Sequence, residues 1–331
     1  MNILVTGGTG YIGSHSCVAL LEAGHTVIVA DNLCNSKVET IDKIKQITNK
    51  EVTFYKIDVT DESLIDTIFL NHQVDGIIHF AGFKAVGESV EKPLAYYYNN
   101  LVSTMVIIKN CKKYNVKKFV FSSSAAVYGD NNVPFVETMN LLPTKNPYGK
   151  TKAISERILT DVSKVNPDFS VALLRYFNPV GAHESGLIGE APNGIPNNLM
   201  PYVAQVAKGK IKKLRVFGND YPTVDGTGVR DYIHVMDLAD GHVAALNNLS
   251  KGVHIYNLGT GQGTSVLQLV KAFEKANGIE VPYEIVDRRT GDIAECYADT
   301  SKAKKELGWT AKRGFVDMCR DTWRFQKNYD G

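Results

Sequence analysis

Short apolar runs alternate with longer stretches of helical spacing through the first half of the chain. The runs Asn2–Thr6, Thr26–Ala30, Val52–Ile57, Gly76–Phe80, Lys118–Ser122 and Ser170–Arg175 are rich in Val, Ile, Leu and Phe, which predicts strands. Between them, Ser14–Ala23, Glu62–Leu70, Pro93–Tyr114 and Tyr148–Val165 carry the period of helices. Strand, helix, strand at this spacing predicts a parallel sheet with helices on both faces, a doubly wound α/β fold of the Rossmann type. Ligands bind such sheets outside the carboxyl ends of the strands. Asp31, Asp58, Ala81, Gly82, Lys84 and Ser122–Ser124 all fall at those ends.

The character changes after Ser170–Arg175. Residues 178–198 are loops rich in Gly, Pro and Asn, as suits segments that lie over the sheet edge and bind a substrate. Helical spacing returns at Val235–Leu249, Thr264–Ala276, Ser301–Leu307 and Val316–Lys327. With 331 residues the chain exceeds one compact core. The expected division is a dinucleotide-binding domain over 1–177 and a smaller α/β substrate lobe over 178–331. Roughly 225–260 is expected to return to the first domain.

Composition narrows the function. A hydrophobic fraction of 44%, a charged fraction of 22% and a net charge of +2 are those of an ordinary globular protein. No long basic run points to nucleic acid. No apolar stretch approaches the ~20 residues of a membrane span, and the N-terminus reads as a first strand rather than a signal peptide. The five cysteines, Cys17, Cys34, Cys111, Cys296 and Cys319, are odd in number and widely spaced. They predict reduced thiols in a cytoplasmic protein, with no disulfide framework and no zinc site. His234, His242 and His254 show no metal-ligand grouping and read as structural, so no metal is expected. Lys208, Lys210, Lys212 and Lys213 read as a solvated basic face.

Gly7-Gly8-Thr9-Gly10-Tyr11-Ile12-Gly13 follows the first strand at once and opens a helix. The glycines fit Gly8-x-Gly10-x-x-Gly13 or Gly7-x-x-Gly10-x-x-Gly13. Either way glycine permits close backbone approach, and the helix N-terminus offers amide donors to a pyrophosphate. Asp31 ends the next strand, where an acid can hydrogen-bond both ribose hydroxyls. No arginine follows in Asn32-Leu33-Cys34-Asn35-Ser36, so NAD is favoured over NADP. Lys84 is placed to neutralise cofactor oxygens. Ser124, at the mouth of the site, can pass a proton between a substrate hydroxyl and Tyr148.

Tyr148 and Lys152 lie four residues apart, one turn along the same helix face, with Pro147 at the first helical position. A neighbouring ammonium favours the phenolate over the ordinary phenol of pKa near 10. The pair therefore reads as a general base for a hydroxyl proton. Ser124, Tyr148 and Lys152 together beside a dinucleotide fold are far more specific than any one of them.

This combination resembles the extended short-chain dehydrogenase/reductase family. Residues 81–90, 174–182, 194–201, 218–223 and 225–237 resemble its UDP-glucose 4-epimerases more closely still, and the resemblance runs from Met1 to about Trp323. Relatives that dehydrate a nucleotide sugar carry an Asp-Glu pair where Ala125-Ala126 stands here. The resemblance implies that Tyr148 takes the proton of the sugar C4 hydroxyl while tightly bound NAD accepts the hydride. The 4-keto sugar then turns over and receives the hydride on its other face. Lys152 is implied to hold the phenol ionised and Ser124 to bind the developing carbonyl. Tyr11, Ile12, Asn32, Asn35, Ser36, Val59, Phe80, Asn99 and Tyr176 are implied cofactor contacts, beside the glycines, Asp31, Asp58, Ala81, Gly82, Lys84, Ser122, Tyr148 and Lys152.

For the substrate, the resemblance implies that Phe177, Asn178, Asn198 and Leu199 contact the sugar diphosphate and uracil, with Lys84, Ser124 and Tyr148. Val216 and Phe217 would line the uridine pocket. Arg230, Arg289 and Asp292 would clamp diphosphate and ribose, a role that suits a guanidinium's paired donors. Cys296 matches the position facing the sugar's 2-substituent, where a small residue leaves room for an N-acetyl group. Expected substrates are thus UDP-glucose and UDP-galactose, with UDP-GlcNAc and UDP-GalNAc added by the small Cys296. The implied assembly is a homodimer through Pro93–Tyr114 and Tyr148–Val165. Two other readings compete: a nucleotide-sugar oxidoreductase or decarboxylase with the same triad, and a redox-sensing binding protein that needs no intact Tyr–Lys pair.

Overall fold

A computed structural model describes residues 1–329 except 193, 195 and 290. Its first half runs β1 (Asn2–Thr6), α1 (Tyr11–Glu22), β2 (Thr26–Asp31), α2 (Glu39–Thr48), β3 (Thr53–Lys56), α3 (Glu62–Asn71) and β4 (Gly76–His79). It continues with α4 (Val86–Glu91), α5 (Pro93–Lys113), β5 (Lys118–Ser122), α6 (Pro147–Val165) and β6 (Ser170–Tyr176). The second half contains β7 (Asn178–Val180), α7 (Leu199–Ala207), β8 (Leu214–Phe217), β9 (Val229–Arg230), β10 (Tyr232–His234), α8 (Val235–Asn247) and β11 (Val253–Leu258). It closes with β12 (Thr264–Ser265), α9 (Val266–Asn277), β13 (Tyr283–Val286), β14 (Glu295–Cys296), α10 (Ser301–Leu307) and α11 (Phe315–Asn328).

Seven strands form one parallel sheet in the order β11-β6-β5-β4-β1-β2-β3, the doubly wound α/β fold the spacing predicts. Its strand order reverses between β1 and β4, so their carboxyl ends open the crevice where such folds bind ligands. Alternation along β1 serves both faces: Ile3 and Val5 join the core under α1 and α8, while Leu4 joins the core that includes Ile65, Ile107 and Leu159. Two segments beyond residue 178 belong to this layer, since α8 packs on α1 and β11 pairs with β6.

The rest of the second half is built on short pairings, β8 with β13 and β12-β9-β14, over a core of Val203, Val216, Leu269, Phe273 and Met318. Among the elements not predicted, α2 buries only Ile41 and Ile44, too sparse a stripe to announce itself. One expectation needs correction. Lys208 is not simply part of a solvated face, because its Nζ donates to the Gln326 and Tyr329 carbonyls at 2.8 and 2.7 Å and caps the end of α11. The buried His234 and His242 are structural: His234 Nδ1 accepts the Met236 N–H and caps α8, and His242 bonds the Leu238 carbonyl. No group of three metal-binding side chains occurs among the described residues.

Candidate active site

At the β1–α1 turn two glycines sit where the backbone leaves no room for a side chain. Gly7 has φ +72°, and a Cβ there would lie 2.8 Å from the Ala81 nitrogen; one on Gly13 would lie 2.2 Å from the Gly7 carbonyl oxygen. Gly10 caps α1 with no side-chain bond, which leaves the first-turn amides of the helix without a capping acceptor, as suits an anion site at a helix N-terminus. The Tyr11 and Ile12 side chains are occupied elsewhere. Tyr11 donates to the Gly181 carbonyl at 2.7 Å, and Ile12 packs on the core.

Asp31 is buried at the end of β2, receiving Thr9 N–H at 3.1 Å, Leu33 N–H at 2.9 Å and Ser36 Oγ at 3.3 Å. Asn35 is exposed on the same turn, whose Leu33 takes a left-handed φ of 62°. Asn32 donates to Asp58 at 3.1 Å. Burial pushes the Asp58 carboxyl up, and bonds from Thr60 and Asn32 more than offset it, holding it below its ordinary value. Val59 is in the core, leaving only its backbone for a ligand. The donor set fits a dinucleotide: a cradle too tight for a Cβ at Gly7 or Gly13, a helix N-terminus for a pyrophosphate, and a buried carboxylate for a ribose.

The end of β4 joins this cradle to α6. Phe80 and Ala81 donate their N–H groups to the Thr6 carbonyl at 3.0 and 3.1 Å. Asn100, which the sequence reading passed over in favour of Asn99, is the organiser here. It accepts the Phe83 N–H at 2.8 Å and donates to the Phe83 carbonyl and to Thr151 Oγ1, both at 3.0 Å. Asn99 bonds Asn100, and a Cβ on Gly82 would lie 3.2 Å from the Asn100 oxygen. Adjacent asparagines inside a helix, where asparagine is a poor former, were the available signal.

Ser122, Ser123 and Ser124 diverge at the end of β5. Ser122 bonds the Tyr176 hydroxyl through Oγ and accepts Lys152 Nζ on its carbonyl at 2.6 Å. Ser123 donates to Glu156 Oε1 at 2.5 Å, and Glu156 is held by Arg175 at 3.0 and 2.6 Å. Ser124 caps the following turn, with Oγ accepting the Ala126 N–H at 3.2 Å. Asn146 caps α6 through Gly149 N–H at 2.8 Å, which sets Tyr148 in the first turn.

The electrostatics of the pair differ from the expectation. Burial raises the Tyr148 phenol, and the hydrogen bond with Ser124 pulls it back only in part. The Lys152 ammonium lies 6.0 Å from the Tyr148 ring centroid and spends a donor on Ser122, so desolvation outweighs it at the phenol. Lys152 itself is pushed down to about 8 by burial, with the Glu156 charge opposing.

Across the cleft the second half supplies arginines on aromatic and acidic partners. The Arg289 guanidinium stacks 3.9 Å over the Phe217 ring. Arg230 donates to Asp292 at 2.9 Å and to the Val229 carbonyl at 2.8 Å. Cys296 lies opposite Arg230 in the β14–β9 register and packs in one small cluster with Phe177 and Ala125. Asn198 donates to Glu190 at 2.6 Å, and Lys84 pairs with the same carboxylate at 3.2 Å. Asn178 is held in β7 by the Asp231 carbonyl at 3.0 Å. Val216 and Leu199 differ from the rest, because their side chains pack into the second core. Of the segment 194–201, Ile195 lies outside the described residues. Glu190, Glu156 and Arg175 escaped the sequence reading, since no local motif marks a charge that folding brings into place.

Comparison with known proteins agrees with this geometry. The family model described as GDP-mannose 4,6 dehydratase matches residues 4–322. The UDP-glucose 4-epimerase of Bacillus subtilis is 60% identical over 99% of this chain and 97% of its own length. That of Haemophilus influenzae is 59% identical over 99% and 98%. The crystal structure of UDP-glucose 4-epimerase from Bifidobacterium longum in complex with NAD+ and UDP superposes with a TM-score of 0.96 at 54% identity, covering 99% of this chain and 98% of that one. A UDP-Glc/GlcNAc 4-epimerase from Campylobacter jejuni superposes with a TM-score of 0.85 at 37% identity, covering 99% of both chains. Identities of 54–60% with the Bacillus subtilis, Haemophilus influenzae and Bifidobacterium longum enzymes over nearly the whole length, with the family model matching residues 4–322, place the chain in the UDP-glucose 4-epimerase family, within the broader family of the GDP-mannose 4,6 dehydratase model.

Proposed function

We propose that this protein is an NAD-dependent epimerase that interconverts UDP-glucose and UDP-galactose through a transient 4-keto sugar. The observation that carries the reading is Ser124, Tyr148 and Lys152 gathered at the carboxyl edge of the sheet, tied to the glycine cradle through Asn100 and Thr151. Bound NAD supplies reversible two-electron oxidation at the sugar C4, together with a positive charge of the sign that opposes the burial penalty on the phenol. Gly7, Gly10 and Gly13 hold the pyrophosphate, Asp31 the adenosine ribose, and Lys152 the nicotinamide ribose. Tyr148 takes the C4 hydroxyl proton and later returns it, and Ser124 bonds the developing carbonyl oxygen. Arg230, Arg289 and Asn198 grip the nucleotide end, leaving the sugar free to turn between the two proton transfers.

Residues 1–177 form the cofactor domain in this reading and 178–331 mainly the substrate lobe. Exposed Leu94, Tyr98 and Met105 along α5 and Ile154 on α6 make an apolar stripe that supports a homodimer. Five free cysteines support a reducing, cytoplasmic setting. The half-buried Cys296 supports N-acetylhexosamine substrates beside hexoses, since its thiol is far smaller than a phenol. The Cys296→Tyr substitution should remove UDP-GalNAc conversion and spare UDP-galactose; N-acetyl activity that survives it, or is absent beforehand, rejects this substrate.

The direct experiment incubates the purified protein with UDP-galactose and no added cofactor, separates the products and measures bound nucleotide. Conversion to UDP-glucose with NAD retained supports epimerisation. A net oxidoreductase would instead build up NADH and stop without added NAD, and a redox-sensing binder would leave the sugar unchanged.

A further inference from the structure

We propose that Glu190 is a positioning residue that fastens Asn198 to the glycine-loop side of the cleft through Lys84, and so sets the shape of the diphosphate site; the proposal rests on the functional reading above. The Glu190 side chain is only 9% exposed, and its Oε1 accepts from both Lys84 Nζ, at 3.2 Å, and Asn198 Nδ2, at 2.6 Å. A carboxylate this far from water has to be paired. Its two partners come from opposite walls of the cleft, one from the loop after β4 and one from the start of α7.

Both partners bear marks of the arrangement. Asn198 occupies the N-cap of α7, where an asparagine side chain ordinarily accepts a helix amide. Here it makes no cap bond and gives its amide to Glu190 instead. The Lys84 ammonium stands 5.9 Å over the ring of Tyr11, whose hydroxyl is anchored on Gly181. A continuous chain, Tyr11 to Lys84 to Glu190 to Asn198, thus runs from the first turn of the cofactor helix to the substrate loop. The second oxygen, Oε2, is buried with no protein partner. Glu190 also lines a cavity of about 10 Å³ with Tyr11, Gly181 and Met200, room for roughly one water.

An ammonium has three donors. Lys84, still half exposed, can keep its bond to Glu190 while presenting another N–H to a phosphate oxygen. Glu190 then touches neither sugar nor cofactor. It acts by holding two groups that do.

The test measures UDP binding by calorimetry to the NAD-loaded protein, with turnover of UDP-galactose alongside. Glu190→Ala should weaken UDP by about tenfold, the lower end for a charge-assisted hydrogen bond. Its KM should rise in step while kcat stays within about twofold, because no reacting atom is touched. Glu190→Gln, of equal size, should retain the Asn198 contact, lose the ion pair and weaken UDP by about threefold. In an Asn198→Ala background the Glu190→Ala change should cost only about threefold, since one of its two routes is already cut and the Lys84 pair remains. The proposal is overturned if Glu190→Ala binds UDP like the wild type, or if its full effect persists without Asn198. Should Glu190→Ala fail to fold, Glu190→Gln decides, and wild-type affinity there overturns the proposal. A wild type that binds no UDP rejects the underlying functional reading, whereas an unaffected variant beside a binding wild type rejects only the role of Glu190.

Discussion

The two ends of the cleft carry charge in opposite ways. At the sheet end, Lys152 is 7% exposed and its pKa is pushed down to about 8, while the neighbouring phenol is pushed up. At the far end, Arg230 pairs with Asp292 and Arg289 stacks on Phe217, both within reach of solvent. Burial tunes the acidity of groups that exchange protons, and leaves a guanidinium's charge untouched because its ordinary pKa is so high. In the proposed function one end is therefore built for reactivity and the other for grip.

The largest break in that contrast should come from Lys152→Met, which removes the buried cation. Turnover of UDP-galactose should fall by at least about 10²-fold while UDP affinity stays unchanged. A variant with altered UDP binding and normal turnover would place Lys152 on the wrong side of the comparison. Arg289→Ala should do the reverse. Losing the stacked guanidinium should weaken UDP by about tenfold, with kcat nearly constant, as a competition assay with UDP reads directly.

A smaller effect follows from linkage. The folded pKa of Lys152 lies below the ordinary lysine value of 10.5, so the fold binds this proton less tightly than the unfolded chain does. Its contribution to stability is present above the unfolded pKa and is lost as pH falls through about 8. Compared with Lys152→Met, the wild type should gain stability between pH 7 and pH 10, by up to about 3 kcal/mol. Denaturant midpoints of the two proteins at both pH values measure it. Parallel pH curves would show that Lys152 is not desolvated.

The same contrast explains what was legible in the sequence. The sheet end announces itself, because glycine spacing, Pro147 before Tyr148 and strand periodicity are local signals. β1, β5 and α10 have the predicted bounds, and Pro147 opens α6 at the first helical position expected for it. The grip end is assembled from strands as short as β9 and β14, two residues each, whose pairing no period reveals. Its arginines were found through resemblance. Glu190 and Asn100 were missed because their partners lie far along the chain, at Lys84 and at Thr151. Even at the legible end, spacing shows that an ammonium is near, but only packing shows that burial raises the Tyr148 phenol.

The central claim is that the Tyr148 hydroxyl carries the C4 proton, and the Tyr148→Phe protein tests it most directly. Steady-state turnover of UDP-galactose is measured beside retained NAD and UDP affinity. The account predicts turnover reduced by about 10²–10⁴-fold with both ligands still bound. Normal turnover in that protein would contradict it.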